Sequence, residues 1–248
     1  MAIITGTISD DILFTTAAAD DVTALNGNDI ILIAAAVDYA PGERLNGGAG
    51  FDRLWFTSTT ADDSLVLAAT ATDLEFILIG DAVGNTTGTV DLNVDASLLG
   101  IGVFLIGNDG DNILVGTARN DTIIGNGGAD TITGGAGNDR IAMQLASLDT
   151  ADAGLQSEGN TLALAGSAAG TVEIDLRVVG GGDQLLFIDG VGEALVQAGF
   201  SHVDASAVTD AGVSIIGSSG VNILIGTGED DILEGGAGAD ILVGGIGD

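Results

Sequence analysis

An all-β fold, a parallel β-solenoid of the β-roll or β-helix kind, is predicted by three observations. Acidic residues and single apolar residues recur on a nine-residue pitch, as in "GTARNDTIIGNGGADTITGGAGNDRIA" (116–142). Glycine supplies 41 of 248 residues and proline only one, a composition that weakens helices and suits many tight turns. The runs between the nine-residue lines alternate apolar and polar residues with the period of a half-buried strand, as in Val90/Leu92/Val94 and Val172/Ile174/Leu176/Val178.

Taken in order, the lines begin with "GTISDDILF" (6–14), which puts Asp11 in the sixth place and Leu13 in the eighth. Asp20 and Asp29 follow at the same pitch with Val22 and Ile31, and Asp38 continues it. "GGAGFDRLW" (47–55) then brings in Asp52 after a five-residue slip past Pro41. From 107 the sixth places are Asn112, Asp121, Asp130 and Asp139, and the eighth places are Leu114, Ile123, Ile132 and Ile141. From 217 the sixth places are Asn222, Asp231 and Asp240. A larger repeat overlies the small one: Gly6, Gly116 and Gly226 each open a "GT" line, and "VDAS" recurs at 94–97 and 203–206. "SLVLAAT", "LEFILIG", "GTVDLNVDAS", "NTLALAG", "GTVEIDLRVVG" and "DQLLFIDG" read as further coils or as small sheets packed on the solenoid. Residues 144–160 read as a short helix or a long loop. The array divides into an N-terminal roll segment (1–57), solenoid strands (58–106), a central roll (107–142), solenoid strands with that loop or helix (143–216) and a C-terminal roll (217–248).

Six glycine-rich residues make a turn and three make a strand whose middle side chain faces the core, so two lines complete one coil. Like turns then recur every second line, which places Asp11 under Asp29, Asp20 under Asp38, Asn112 under Asp130, Asp121 under Asp139 and Asn222 under Asp240. Carboxylates stacked at one strand spacing, ~4.8 Å, repel each other unless a cation lies between them. The chain has 36 acidic and five basic residues, a formal net charge of −31, and no cysteine, which points to a hard ion bound through oxygen. Carboxylates and turn carbonyls together meet the oxygen demand of Ca2+.

These lines resemble the G-G-x-G-x-D-x-U-x repeat of RTX proteins, with good matches at 125–142 and 235–243 and looser ones at 6–32, 47–55, 107–124 and 217–234. The resemblance implies a calcium-loaded parallel β-roll in which the sixth-place residue is a ligand. Carried over residue by residue, the candidate metal ligands are Asp11, Asp20, Asp29, Asp52, Asn112, Asp121, Asp130, Asp139, Asn222, Asp231 and Asp240. Asn112 and Asn222 keep an oxygen and lose the charge; the lines holding Asp20 and Asp38 lack the family's glycines. The resemblance also implies secretion by the type I route, which agrees with the lack of a basic, apolar N-terminal signal in "MAIITGTISDD".

The charge excludes nucleic acid and an anionic membrane surface as partners. No H-E-x-x-H, G-x-S-x-G or cysteine nucleophile is present, and five scattered arginines are a weak platform for an anionic glycan substrate. His202, the single histidine, reads as structural. The expected function is therefore a calcium-binding extracellular structural protein, not an enzyme, that self-assembles into a surface layer or fibre. The competing class is a secreted exoenzyme or adhesin acting on or binding glycans, with the roll as accessory. The outer positions Ile12, Phe14, Ile30, Leu32, Ile223, Ile225, Ile241 and Val243 are expected to form exposed apolar stripes, covered either by the chain's own strands or by a neighbouring molecule. Joining "GGIGD" at 244–248 to "AIIT" at 2–5 makes one nine-residue unit, so head-to-tail homopolymerisation is also expected, with Asp240 and Asp248 near the joint.

Overall fold

The computed structural model describes residues 2–137, 139–144, 150–152, 161–167, 172–179, 183–188, 194–198, 202–209, 212–217 and 220–247. The core sits on one column of side chains. In register from strand to strand run Leu13, Ile31, Leu54, Ile77, Leu105, Ile123, Ile141, Leu162, Val203, Leu224 and Leu242, each the inward residue of its strand. From Ile31 to Leu224 these side chains are fully buried. Burying each is worth ~1.5–3 kcal/mol relative to exposure, which is why a one-residue slip, turning the column outward, is disfavoured.

Their strands form an eleven-stranded parallel sheet running from Ile12–Phe14 to Ile241–Val243. Between its strands the chain crosses to two further sheets. A four-stranded parallel sheet comprises Ile3–Thr5, Asp21–Thr23, Arg44–Asn46 and Ala71–Thr72. A ten-stranded sheet takes over from Asp63–Val66 and carries Val94, Leu114 and Ile132 as its inward column. The structure is thus the all-β parallel solenoid that the lines predict, with one antiparallel insertion. Val172–Val179, Asp183–Ile188 and Ala194–Ala198 pair antiparallel inside the ten-stranded sheet, so these runs are neither plain coils nor a separate packed sheet. Of the stretch 144–160, Thr150–Asp152 is a strand in this sheet; 145–149 and 153–160, and with them the expected loop or helix, lie outside the described residues.

Where the lines are unbroken, stacked residues are 18 apart; past Pro41 the separation grows to 23. The extra residues form a bulge holding a short 3-10 turn, Ala36–Asp38. It is pinned by the Ala36 amide donating to Asp63 Oδ2 (2.9 Å) and by the Ala68 amide donating to the Tyr39 hydroxyl (3.0 Å). Two expectations fail here. Asp38 lies in the 3-10 turn and does not stack on Asp20; the register Asp21↔Arg44 puts Glu43 in that place instead. On the outer face Leu32 is buried rather than exposed, in register with Trp55 and Leu78, where the 80–88 loop closes over the sheet. A Cβ added to Gly84 would meet the Trp55 ring at 3.1 Å and one on Gly80 would meet Leu78 at 3.3 Å. Ile30, Ile223 and Ile225 are half-buried, whereas Ile12, Phe14, Ile241 and Val243 are exposed.

Candidate metal centre

In the nine-residue lines the strand is preceded by a turn whose sixth-place side chain points back into the stack. Its Oδ1 accepts the backbone N–H of the equivalent residue one coil earlier. Asp11 donates to Asp29 (2.8 Å), Asp29 to Asp52 (2.8 Å), Val103 to Asp121 (2.8 Å), Asn112 to Asp130 (2.8 Å), Asp121 to Asp139 (2.9 Å), Val213 to Asp231 (2.8 Å) and Asn222 to Asp240 (3.0 Å). Asp20 Oδ1 accepts from the Ala2 amide at 3.0 Å. The structure therefore brings all eleven candidate ligands into vertical columns at the coil corners. Asp20, Asp29, Asp52, Asn112, Asp121, Asp130, Asp139 and Asn222 are buried, while Asp11, Asp231 and Asp240 are half-buried.

Glycine is required where a turn presses on the coil before it. A Cβ on Gly48 (φ +97) would lie 1.9 Å from the Leu25 carbonyl oxygen, on Gly50 (φ +151) 1.6 Å from that of Gly27, and on Gly135 (φ +102) 2.0 Å from that of Thr117. The turns thus pack carbonyl oxygens against the next turn's glycines, beside the carboxylate columns.

The electrostatics follow from burial. Desolvation raises Asp29, Asp52 and Asp121 above the usual carboxylate range and carries Asp139 up to about 6; neighbouring Asp11 and Asp10 add repulsion at Asp29, and Asp121 adds it at Asp139. Asp20 goes the other way: burial opposes its charge, but donors from Thr16 and Ala2 outweigh that and lower it. Asp29 Oδ2 and Asp52 Oδ2 are buried with no hydrogen-bond partner. An anionic oxygen with no donor in the interior is unstable by several kcal/mol unless a proton or a cation meets it. Among the described residues no three His, Cys, Asp or Glu side chains converge as a ready metal site. A cation here must therefore draw on backbone carbonyls as well as on the stacked pairs, the mixed oxygen set that Ca2+ accepts and a soft metal does not.

Three sets of residues escaped sequence reasoning. Glu43 and Glu75 extend the sixth-place columns without any nine-residue pattern around them: the Asp52 amide donates to Glu75 (2.9 Å), and Glu43 is buried beside Asp20 with its carboxyl pushed up to about 7. Only the register across the bulge reveals them. Fifth-place side chains form a second ladder, with Asp10 accepting from the Asn28 amide (2.8 Å), Asn28 from Phe51 (2.9 Å), Asp91 from Asp111 (2.9 Å) and Asp111 from Ala129 (2.7 Å). The "ND" and "DD" pairs in the lines were the available signal. Second-place threonines close on the sixth-place carboxylates, and the recurring "GT" marks three of them, Thr7, Thr117 and Thr227.

The family model for the RTX calcium-binding nonapeptide repeat matches the chain in three blocks, residues 3–32, 106–141 and 216–248. No curated protein matches it. The three blocks coincide with the regular turn columns, and the bulge, Asp52, Glu75 and the antiparallel strands fall between them.

Proposed function

The chain is an RTX calcium-binding nonapeptide-repeat protein, and from that premise we propose that it is an extracellular structural protein whose calcium-loaded solenoid assembles with copies of itself into a fibre or surface layer. Calcium is its cofactor and its first partner. The ligands we assign are Asp11, Asp20, Asp29, Asp52, Asn112, Asp121, Asp130, Asp139, Asn222, Asp231 and Asp240, acting with turn carbonyls. Loaded, the columns lose their repulsion, and each coil is tied to the next by ion bridges as well as by amide–carboxylate hydrogen bonds. The chain's own residues hold the carboxylates in register, exclude water through the buried column and present the carbonyls.

The observation that carries the structural reading is the stack itself: strands of one sheet run from Ile12 to Val243, with the matched repeat blocks at its start, middle and end. Apolar side chains on its outer surface, Ile12, Phe14, Ile113, Phe104 and Ile232, support contact with other copies. One groove of about 270 Å3 is lined by Ala36, Tyr39, Pro41, Glu43 and Ser64, and its only carboxyl, Glu43, is buried. No helix among the described residues is long and apolar enough to cross a membrane.

Electron microscopy of the purified protein with and without calcium tests the reading. Ordered fibres or sheets in calcium, lost in chelator and lost in an Ile12→Ser/Phe14→Ser variant that still binds calcium, are the expected result. Dispersed particles under both conditions, together with hydrolysis of a glycan, would favour the exoenzyme.

A further inference from the structure

Among the described residues the turns of the roll are of two kinds, and the second residue of the line separates them. In the first kind that residue closes the sixth-place side chain of its own turn. The Thr16 amide and hydroxyl both donate to Asp20 Oδ2 at 2.9 Å. The Thr117 amide donates to Asp121 Oδ2 (2.6 Å) and its hydroxyl lies 3.0 and 3.1 Å from the two oxygens. Thr227 holds Asp231 with an amide at 2.8 Å and a hydroxyl at 3.0 Å, Thr7 holds Asp11 in the same way, and Asn108 and Asn112 bond to each other. In the second kind the second residue has left-handed backbone: Leu25 (φ 84), Gly48 (φ 97), Asn126 (φ 71), Gly135 (φ 102) and Gly236 (φ 82). At Asp29 and Asp52 the sequence-adjacent clamp is gone. Asp29 and Asp52 receive the amide of the coil before on Oδ1, while Oδ2, in side chains no more than 1% exposed, meets no donor.

We propose that the second-place residue sorts the turns into closed, metal-independent joints at Asp11, Asp20, Asn112, Asp121 and Asp231 and open turns that take the calcium, with the Asp29–Asp52 pair an ion site reaching beyond the matched repeat block. The inference rests on the calcium reading above and refines it, since it removes five side chains from the ligand set assigned there. A carboxylate offers about four lone-pair positions. Where three donors from the protein already occupy them, an entering cation must first displace N–H and O–H groups that the folded turn holds in place. Where one oxygen is buried without a donor, the cation supplies what the fold withholds. Asp52 lies outside the first repeat block, which ends at residue 32, so the site continues into the bulged coil.

Calcium stoichiometry by titration calorimetry, on the full chain, tests the sorting. Asp29→Asn and Asp52→Asn should each lower the number of bound calcium ions; Asp20→Asn and Asp121→Asn should leave that number unchanged and lower the melting temperature in chelator. Equal calcium loss from both sets overturns the sorting and leaves the calcium reading intact, whereas a wild-type chain that binds no calcium overturns both. A second measurement needs no variant. In hydrogen exchange of the wild-type chain, protection of the Thr16 and Thr117 amides should survive chelation, and that of the Asp11 and Asp29 amides, which donate to open carboxylates, should fall at least tenfold. Parallel loss at all four amides would overturn the metal-independent joints.

Discussion

Glu43→Gln should stabilise the protein at neutral pH. The Glu43 carboxyl is 1% exposed; Oε2 accepts the Ala40 amide at 3.0 Å, and Oε1 has no partner. Burial, with the charge of Asp20 next in weight among those that oppose it, lifts the group from 4.5 to about 7. A raised carboxyl contributes stability that is fully present below its unfolded value and is lost as pH rises through its folded value, here between 4.5 and about 7. At ~1.4 kcal/mol per unit the loss approaches ~3 kcal/mol, and solvent screening near the groove reduces it to ~1–2 kcal/mol. Glutamine keeps an acceptor for Ala40 and never ionises. In urea unfolding near pH 7.5 the variant should gain about 1–2 kcal/mol, and near pH 5, where the folded wild type is already protonated, the gain should shrink below about 0.5 kcal/mol. The comparison is run in calcium and in calcium-free buffer. A variant less stable than wild type near neutral pH, by a margin that widens in calcium, would refute the argument, because it would mean that Glu43 is held as an anion by a bound cation.

Chelation should loosen the roll: far-ultraviolet circular dichroism and melting temperature should both fall when calcium is removed, and identical values in calcium and chelator would end the ion-site reading. Asp139→Ala should lower calcium stoichiometry and stability, whereas Asp152→Ala or Glu158→Ala, outside every nine-residue line, should change neither; equal effects would point to bulk charge neutralisation. Ile123→Ala should destabilise by ~2–5 kcal/mol in thermal or urea unfolding, since that side chain is fully buried in the inward column. Gly48→Ala combines left-handed backbone with a Cβ placed 1.9 Å from the Leu25 carbonyl oxygen, so it should cost at least ~1–2 kcal/mol and lower calcium affinity at the adjoining turn.

The solenoid was legible because its signal is periodic and each repeat restates it. Ile123, Ile132 and Ile141 stand in one nine-residue phase and become inward residues of alternate sheets. The stacking of Asp121 under Asp139 and of Asp11 under Asp29 followed from the same phase. What was not legible depends on where phase is lost. Past Pro41 the chain resumes register after a bulge of unpredictable length, so Asp38, in phase by counting, is out of the stack, and Glu43, out of phase, is in it. Leu32 is buried beside Trp55, against which the 80–88 loop packs, a contact no local pattern encodes. Thr16 and Thr117 look like ordinary turn residues until the hydroxyl is seen on the carboxylate.

The sixth-place joints between coils all face one way, the amide from the earlier coil and the oxygen from the later one, and the fifth-place ladder beside them faces the other. A coil is therefore left with a donor unanswered until its successor has wound onto it, and the successor arrives with an acceptor already aimed. That gives the solenoid a polarity unrelated to its overall charge. Growth of the stack resembles a zipper whose teeth differ on the two sides, and a coil inserted backwards would set amide against amide and carboxylate against carboxylate. Any end-to-end contact that continued these joints would have to be head to tail.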